Sequence, residues 1–226
     1  MFHPVDHPLE RGWVGRVEDG RVVQLAAQTL QSFFTGGGVA REHAVYPLAA
    51  VRFLTPVLHP PSVRLFSDER SFEFGNPAAV VGPDAEIQSK SSLRLCPRIA
   101  AIVGAEGEIG GYTLCADWCD PGREPPKDHD FALSLGPVVA TPEELDAPDT
   151  VAVRVDGEER LRAVTVAFGW NAARDLALEG TTLYPGDVLA GPPVGVIERV
   201  PASSTVELEL DGIGTLRQIV VGRGRT

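Results

Sequence analysis

The chain has 226 residues, enough to bury a sizeable core as one large domain or as a small domain joined to a larger one. Apolar residues make up 43% and charged residues 23%, which excludes a disordered chain. With 20 basic against 31 acidic residues the net charge is −11, and that field excludes nucleic acid and anionic membrane surfaces as partners.

No apolar run reaches the roughly 18 residues needed to span a bilayer. The opening MFHPVDHPLE has neither the basic nor the apolar region of a leader, so a cytoplasmic location is expected. The cysteines are three (Cys96, Cys115 and Cys119), an odd and clustered set that does not form a disulfide framework. Only Lys90 and Lys127 among the 20 basic residues are lysines. Each is either chance or a compact, titratable ammonium where a planar guanidinium would not serve.

In chain order, Gly12–Val17 and Arg21–Leu25 flank Glu18-Asp19-Gly20, an Asp-Gly hairpin signal. Residues 26–34 then predict a short helix, with Leu30, Phe33 and Phe34 near one face and Gly36-Gly37-Gly38 stopping it. Pro56, Pro60 and Pro61 mark the exit from a small N-terminal domain over residues 1–57. From 58 to 226 the pattern is mainly strands: Val80–Pro83, Ile99–Gly104, Val151–Val155 and the clean alternation of Thr205–Leu210, wet on one face. Residues 170–178 predict a second helix, and Asp156-Gly157, Pro185-Gly186-Asp187 and Asp211-Gly212 predict turns. The fold class is therefore α+β, mainly β.

Four segments carry a resemblance. These are Gly111-Tyr112-Thr113-Leu114-Cys115-Ala116-Asp117; Lys127-Asp128-His129-Asp130-Phe131 with Leu135-Gly136-Pro137; Thr182–Leu189 with Gly191-Pro192-Pro193-Val194-Gly195-Val196; and Leu210–Leu216. In this order and spacing the chain resembles the fumarylacetoacetate hydrolase superfamily. The resemblance implies a small N-terminal β domain, a mixed β-sandwich roll and a homodimer. It also implies chemistry on 2-oxo or β-dicarbonyl acids with a divalent metal, commonly Mg2+, where enolate charge develops.

The family holds its metal on two Glu of an E-x-E and on the Asp of an N-D pair. The E-x-E positions fall on Cys96 and Arg98, while Asp117 is kept. Mg2+ wants oxygen ligands, so no Mg2+ is expected. Residues 96 and 98 share one strand face, as do Asp117 and Cys119; if the strands are neighbours, Arg98 pairs with Asp117. The guanidinium then either supplies fixed positive charge in the metal's place or simply closes a vacant site as a buried ion pair. Zinc on Cys96, Cys119 and Asp117 is a further option, opposed by Arg98.

The family's substrate-contacting Thr is replaced by Pro192, and its H-x-x-E lid dyad is absent from Leu65–Phe74, which reads as a shortened lid. The resemblance gives Lys127 contact with the substrate's oxo group, with Asp130 nearby. His129 is a candidate proton carrier by its intrinsic pKa or a surface loop residue. Catalytic roles fall on Lys127, Arg98 and Asp117, and substrate contacts on Asp130, Pro192, Cys96 and Cys119. The function expected is a divergent enzyme acting on an enolisable oxo acid or β-dicarbonyl compound, an isomerase, decarboxylase, hydratase or C–C bond enzyme. The alternatives are a non-catalytic partner subunit in a heteromer with a relative that keeps its carboxylates, and a ligand-binding module.

Overall fold

The computed structural model describes residues 1–89, 91–145, 150–165 and 167–222; Lys90 lies outside the described residues. The N-terminal stretch carries β1 (Phe2–Pro4), β2 (Gly15–Glu18), β3 (Arg21–Leu25), α1 (Leu30–Thr35), β4 (Glu42–Pro47) and β5 (Val51–Phe53). Strands β1 and β5 pair with each other, and β2-β3-β4 form a separate antiparallel sheet. Asp19 (φ +47°) and Gly20 (φ +71°) make the tight turn that the Asp-Gly pair predicts. Helix α1 starts later than the apolar spacing indicates. The Ala26 N–H donates to the Arg41 carbonyl and so is committed outside the helix, and Thr29 with Ser32 forms the cap that sets the first turn.

The remaining strands are β6 (Val63–Asp68), β7 (Ser71–Gly75), β8 (Val80–Val81), β9 (Glu86–Ser89), β10 (Leu93–Val103), β11 (Ile109–Cys119) and β12 (Leu133–Ala140). They continue with β13 (Thr150–Val155), β14 (Glu158–Val164), helix α2 (Trp170–Leu178), β15 (Val188–Ala190), β16 (Ile197–Val200), β17 (Thr205–Leu210) and β18 (Gly214–Gly222). A large mixed sheet runs β7-β6-β15-β10-β11-β12-β8, with β16 also on β10, and a second sheet runs β14-β13-β17-β18-β9. Leu65–Phe74 is thus not a lid. The buried run Val63–Phe66, apolar but for Arg64, builds a sheet strand, and the Arg70 N–H donating to Asp68 closes the hairpin to β7.

One face of the large sheet is mainly apolar, with Ser134 bonded across it to Gln218 of the second sheet. Leu93, Leu95, Leu114, Ala116 and Trp118 pack on Val151, Val153, Val206, Leu208 and Leu216 of the second sheet. Further along the same face, Ala101 and Val103 meet Ala173 and Ala177 of α2. The opposite face carries Ala100, Ile102, Cys115, Leu133 and Leu135, and α1 lies against it through Leu30 and Phe34. The polar residues of β10 and β11 discussed below sit on this second face.

Candidate active site

The site grows out of the alternation along β10 and β11. These strands are antiparallel neighbours, with Cys96 opposite Asp117, Arg98 opposite Cys115 and Arg94 opposite Cys119. Side chains repeat every two residues, so all six point away from the apolar core between the two sheets.

Arg98 is buried and spends most of its donors locally. Its Nε donates to Asp117 Oδ2 at 2.8 Å, and its Nη1 donates to the carbonyls of Phe66 (2.9 Å) and Gly191 (2.8 Å). Strand β15 stops at Ala190, and these carbonyls lie at that stop, between β10 and β6. The remaining nitrogen, Nη2, makes no hydrogen bond among the described residues and is not a buried unpartnered atom; it keeps contact with solvent.

Asp117 is only 2% exposed, and a second donor reaches it from the turn after β11. That turn is folded back by Asp120, whose N–H donates to the Asp128 carbonyl (2.7 Å). The buried Asp120 carboxylate accepts from Ser91, Gly122 and Arg123. The fold-back brings His129 Nε2 to 2.6 Å from Asp117 Oδ1. Because a carboxylate only accepts, Nε2 carries the hydrogen, and Nδ1 is left without a hydrogen bond among the described residues. The bond to Asp117 raises the His129 pKa above the ordinary imidazole value, with burial pulling the other way.

The thiols are held protonated. Burial, with Asp117 adding and Arg98 opposing, pushes Cys96 up to about 11; burial also raises Cys115 and Cys119. A protonated thiol is a weak nucleophile and a weak ligand.

The donor set does not fit the family's metal. Both Asp117 oxygens already accept N–H bonds, the facing residue is a neutral thiol, and a permanent cation stands beside them. Among the described residues no group of three or more His, Cys, Asp or Glu side chains is arranged to hold an ion.

Of the residues singled out in the sequence, Arg98, Asp117, Cys96 and Cys119 share this face, and Pro192 follows the Gly191 carbonyl that Arg98 binds. Lys127 and Asp130 are paired with each other instead. The Lys127 Nζ lies 2.6 Å from Asp130 Oδ2, and the lysine side chain is 72% exposed. His129, left between two readings in the sequence, makes the direct contact to Asp117. No residue spacing announces it, because the contact depends on the Asp120 fold-back.

Comparison with known proteins fits this architecture. Residues 55–221 match the family described as Fumarylacetoacetate (FAA) hydrolase C-terminal. Protein Rv2993c of Mycobacterium tuberculosis is 26% identical, the match covering 80% of this chain and 82% of that protein. The fold is similar to that of maleylpyruvate hydrolase from Sphingobium sp. SYK-6, with a TM-score of 0.77, 22% identity and coverage of 94% of this chain and 97% of that one. That hydrolase has also been solved in complex with manganese (II) ion and pyruvate. The 5-carboxymethyl-2-hydroxymuconate delta-isomerase of Mycobacterium smegmatis is similar too, with a TM-score of 0.73, 24% identity and 98% of both chains covered. The chain belongs to the fumarylacetoacetate hydrolase family.

Proposed function

We propose that this chain is a divergent enzyme of the family that moves a proton on an enolisable oxo acid or β-dicarbonyl compound without a divalent metal. The observation that carries the reading is the bridge made by Asp117, with Arg98 on one carboxylate oxygen and His129 on the other. Asp117 orients the imidazole so that Nδ1 is the free, basic nitrogen. Nδ1 removes a proton from the carbon beside a carbonyl, and the electron pair moves onto the carbonyl oxygen as an enolate. Return of that proton to a different carbon completes an isomerisation; when the imidazolium N–H first exchanges with solvent, reprotonation of the same carbon leaves a solvent hydrogen there. The Nη2 edge of Arg98 supplies fixed positive charge to the enolate oxygen, and being always ionised it needs no metal to do so.

Maleylpyruvate hydrolase and the delta-isomerase bear names that concern oxo and enol acids, which supports the substrate class. The manganese in the hydrolase complex marks where the present reading departs from that relative. A homodimer is part of the proposal, and sedimentation at twice the 24.1 kDa chain mass would agree with it.

The test is hydrogen exchange. Pyruvate, 2-oxobutyrate and acetoacetate are incubated with the protein in deuterated buffer containing chelator, and loss of the α-C–H signal is followed by NMR. Exchange above the buffer rate, lost in His129→Gln, is the expected result. No protein-dependent exchange on any of them contradicts it.

A second reading has one observation in its favour. Lys127 stands in solvent on Asp130, and three of the Arg98 contacts close the site, as in a non-catalytic partner subunit. Absence of exchange together with co-purification of a relative that keeps its metal carboxylates would favour that reading.

A further inference from the structure

The Arg98 guanidinium is planar, so holding Nε on Asp117 and Nη1 on the Phe66 and Gly191 carbonyls also fixes where the Nη2 edge points. Both carbonyls belong to residues that pack on one aromatic unit. Phe168 and Trp170, on either side of the α2 N-cap Gly169, meet edge to face with centroids 4.7 Å apart. The buried Phe66 ring stands edge to face on Phe168 at 6.0 Å. Gly191 lies against Trp170: a Cβ at residue 191 would come 3.0 Å from Cη2 and 3.4 Å from Cζ2 of the indole. Tyr112, its ring centroid 5.2 Å from that of Trp170, adds to the packing that holds the indole. Glu69, at the tip of the β6–β7 hairpin, accepts the Gly169 N–H at 2.7 Å and ties down the start of α2. Phe66, Phe168 and Trp170 pack with Ala101 and Val103, which alternate with Arg98 along β10 and so lie on the opposite face of the sheet.

From this we infer that Phe168 and Trp170 are positioning residues, which set the direction of the Arg98 Nη2 edge through the Phe66 and Gly191 carbonyls. Residue 191 is glycine because the indole takes the space of a Cβ. Neither ring lies on the face that carries Asp117, so both act only through Arg98. The inference rests on the reading of that edge as the partner of the enolate oxygen.

Gly191→Ala tests it. Phe168 and Tyr112 both pack on the indole, so relief of the new contact falls on the residue 191 backbone and shifts its carbonyl. The exchange rate of the folded variant at saturating substrate should fall about tenfold, part of the ~10²-fold that a misplacement of about 1 Å costs. In side-chain 15N NMR the Arg98 Nη resonances, identified by their absence in Arg98→Lys, should be separate in the unaltered protein and should shift or merge in Gly191→Ala. Gly191→Ala/Trp170→Phe, which removes the outer indole atoms, should recover both rate and resonances. A clash that only weakened the fold would lower the unfolding midpoint without moving the resonances or slowing the folded molecules. Unchanged Arg98 resonances in Gly191→Ala, or no recovery in the double variant, overturn the inference. Should Gly191→Ala fail to fold, Trp170→Leu takes its place: it frees the Gly191 carbonyl and should merge the Arg98 resonances, and unchanged ones overturn the inference. No exchange by the unaltered protein, with the Arg98 resonances responding as expected, overturns the enolate-forming reading and leaves the positioning supported.

Discussion

The two faces of the β10–β11 strand pair are built from the same backbone and do opposite things. On one face Leu93, Leu95, Leu114 and Trp118 meet the second sheet and hold the fold by burial alone. On the other, Arg94, Cys96, Arg98, Asp117 and Cys119 occupy the positions between them. Burial of the apolar face is insensitive to pH and indifferent to which hydrophobic residue supplies it, within limits of volume. The polar face is the reverse: each buried charge has to be matched one for one, and removing a single partner leaves the other stranded.

Breaking each face in turn separates the two kinds of stability. Arg98→Met strands the Asp117 carboxylate and the Phe66 and Gly191 carbonyls, and should cost about 3–5 kcal/mol in denaturant unfolding. The double variant Arg98→Met/Asp117→Leu should recover much of that loss, since neither charge is then left alone. Leu114→Ala on the apolar face should cost a similar ~2–5 kcal/mol through the cavity it leaves, yet the folded variant should keep its hydrogen-exchange activity. A double variant no more stable than Arg98→Met would show that the pair is not energetically coupled.

His129→Gln sharpens the comparison through chemistry. It should lower the exchange rate by about 10²–10⁴-fold, the usual worth of a positioned general base. Its effect on stability should depend on pH. The folded pKa of His129 lies above its unfolded value near ~6.5. Its contribution is therefore fully present below that unfolded value and is lost as pH rises through the folded one. The gap in melting temperature between the unaltered protein and His129→Gln should be widest below the unfolded value of about 6.5 and close as pH rises through the raised folded value. The exchange rate should move the other way, rising as the imidazole becomes neutral. A gap that widens with pH would contradict the Asp117 contact. The smallest effect is expected from Lys127→Ala, under ~1 kcal/mol in stability, because an exposed ion pair is screened by solvent.

Much of this was legible in the sequence, and the limits have physical causes. Alternation along a strand is local, so the shared face of Cys96 and Arg98, and of Asp117 and Cys119, follows from spacing of two. That β10 and β11 are neighbours with Cys96 opposite Asp117 is a matter of register, which spacing within one strand does not carry and which the sequence left conditional. His129 was ambiguous because a turn rich in Pro, Asp and Gly can fold either way. The deciding contacts come from Asp120 to Ser91, Gly122, Arg123 and the Asp128 backbone, partly from residues distant in sequence. The rarity of lysine drew attention to Lys127, yet Asp130 three residues on already provides a partner. Leu65–Phe74 falls at the family's lid position, but Val63, Leu65 and Phe66 bury in the sheet and make it a strand hairpin.

Manganese titration followed by calorimetry tests most directly whether a guanidinium has taken over the ion's position. The unaltered protein should show no saturable binding at millimolar Mn2+, whereas Cys96→Glu/Arg98→Glu, which restores the family's carboxylates around Asp117, should bind one equivalent. One equivalent bound by the unaltered protein and lost in Asp117→Asn would contradict the account.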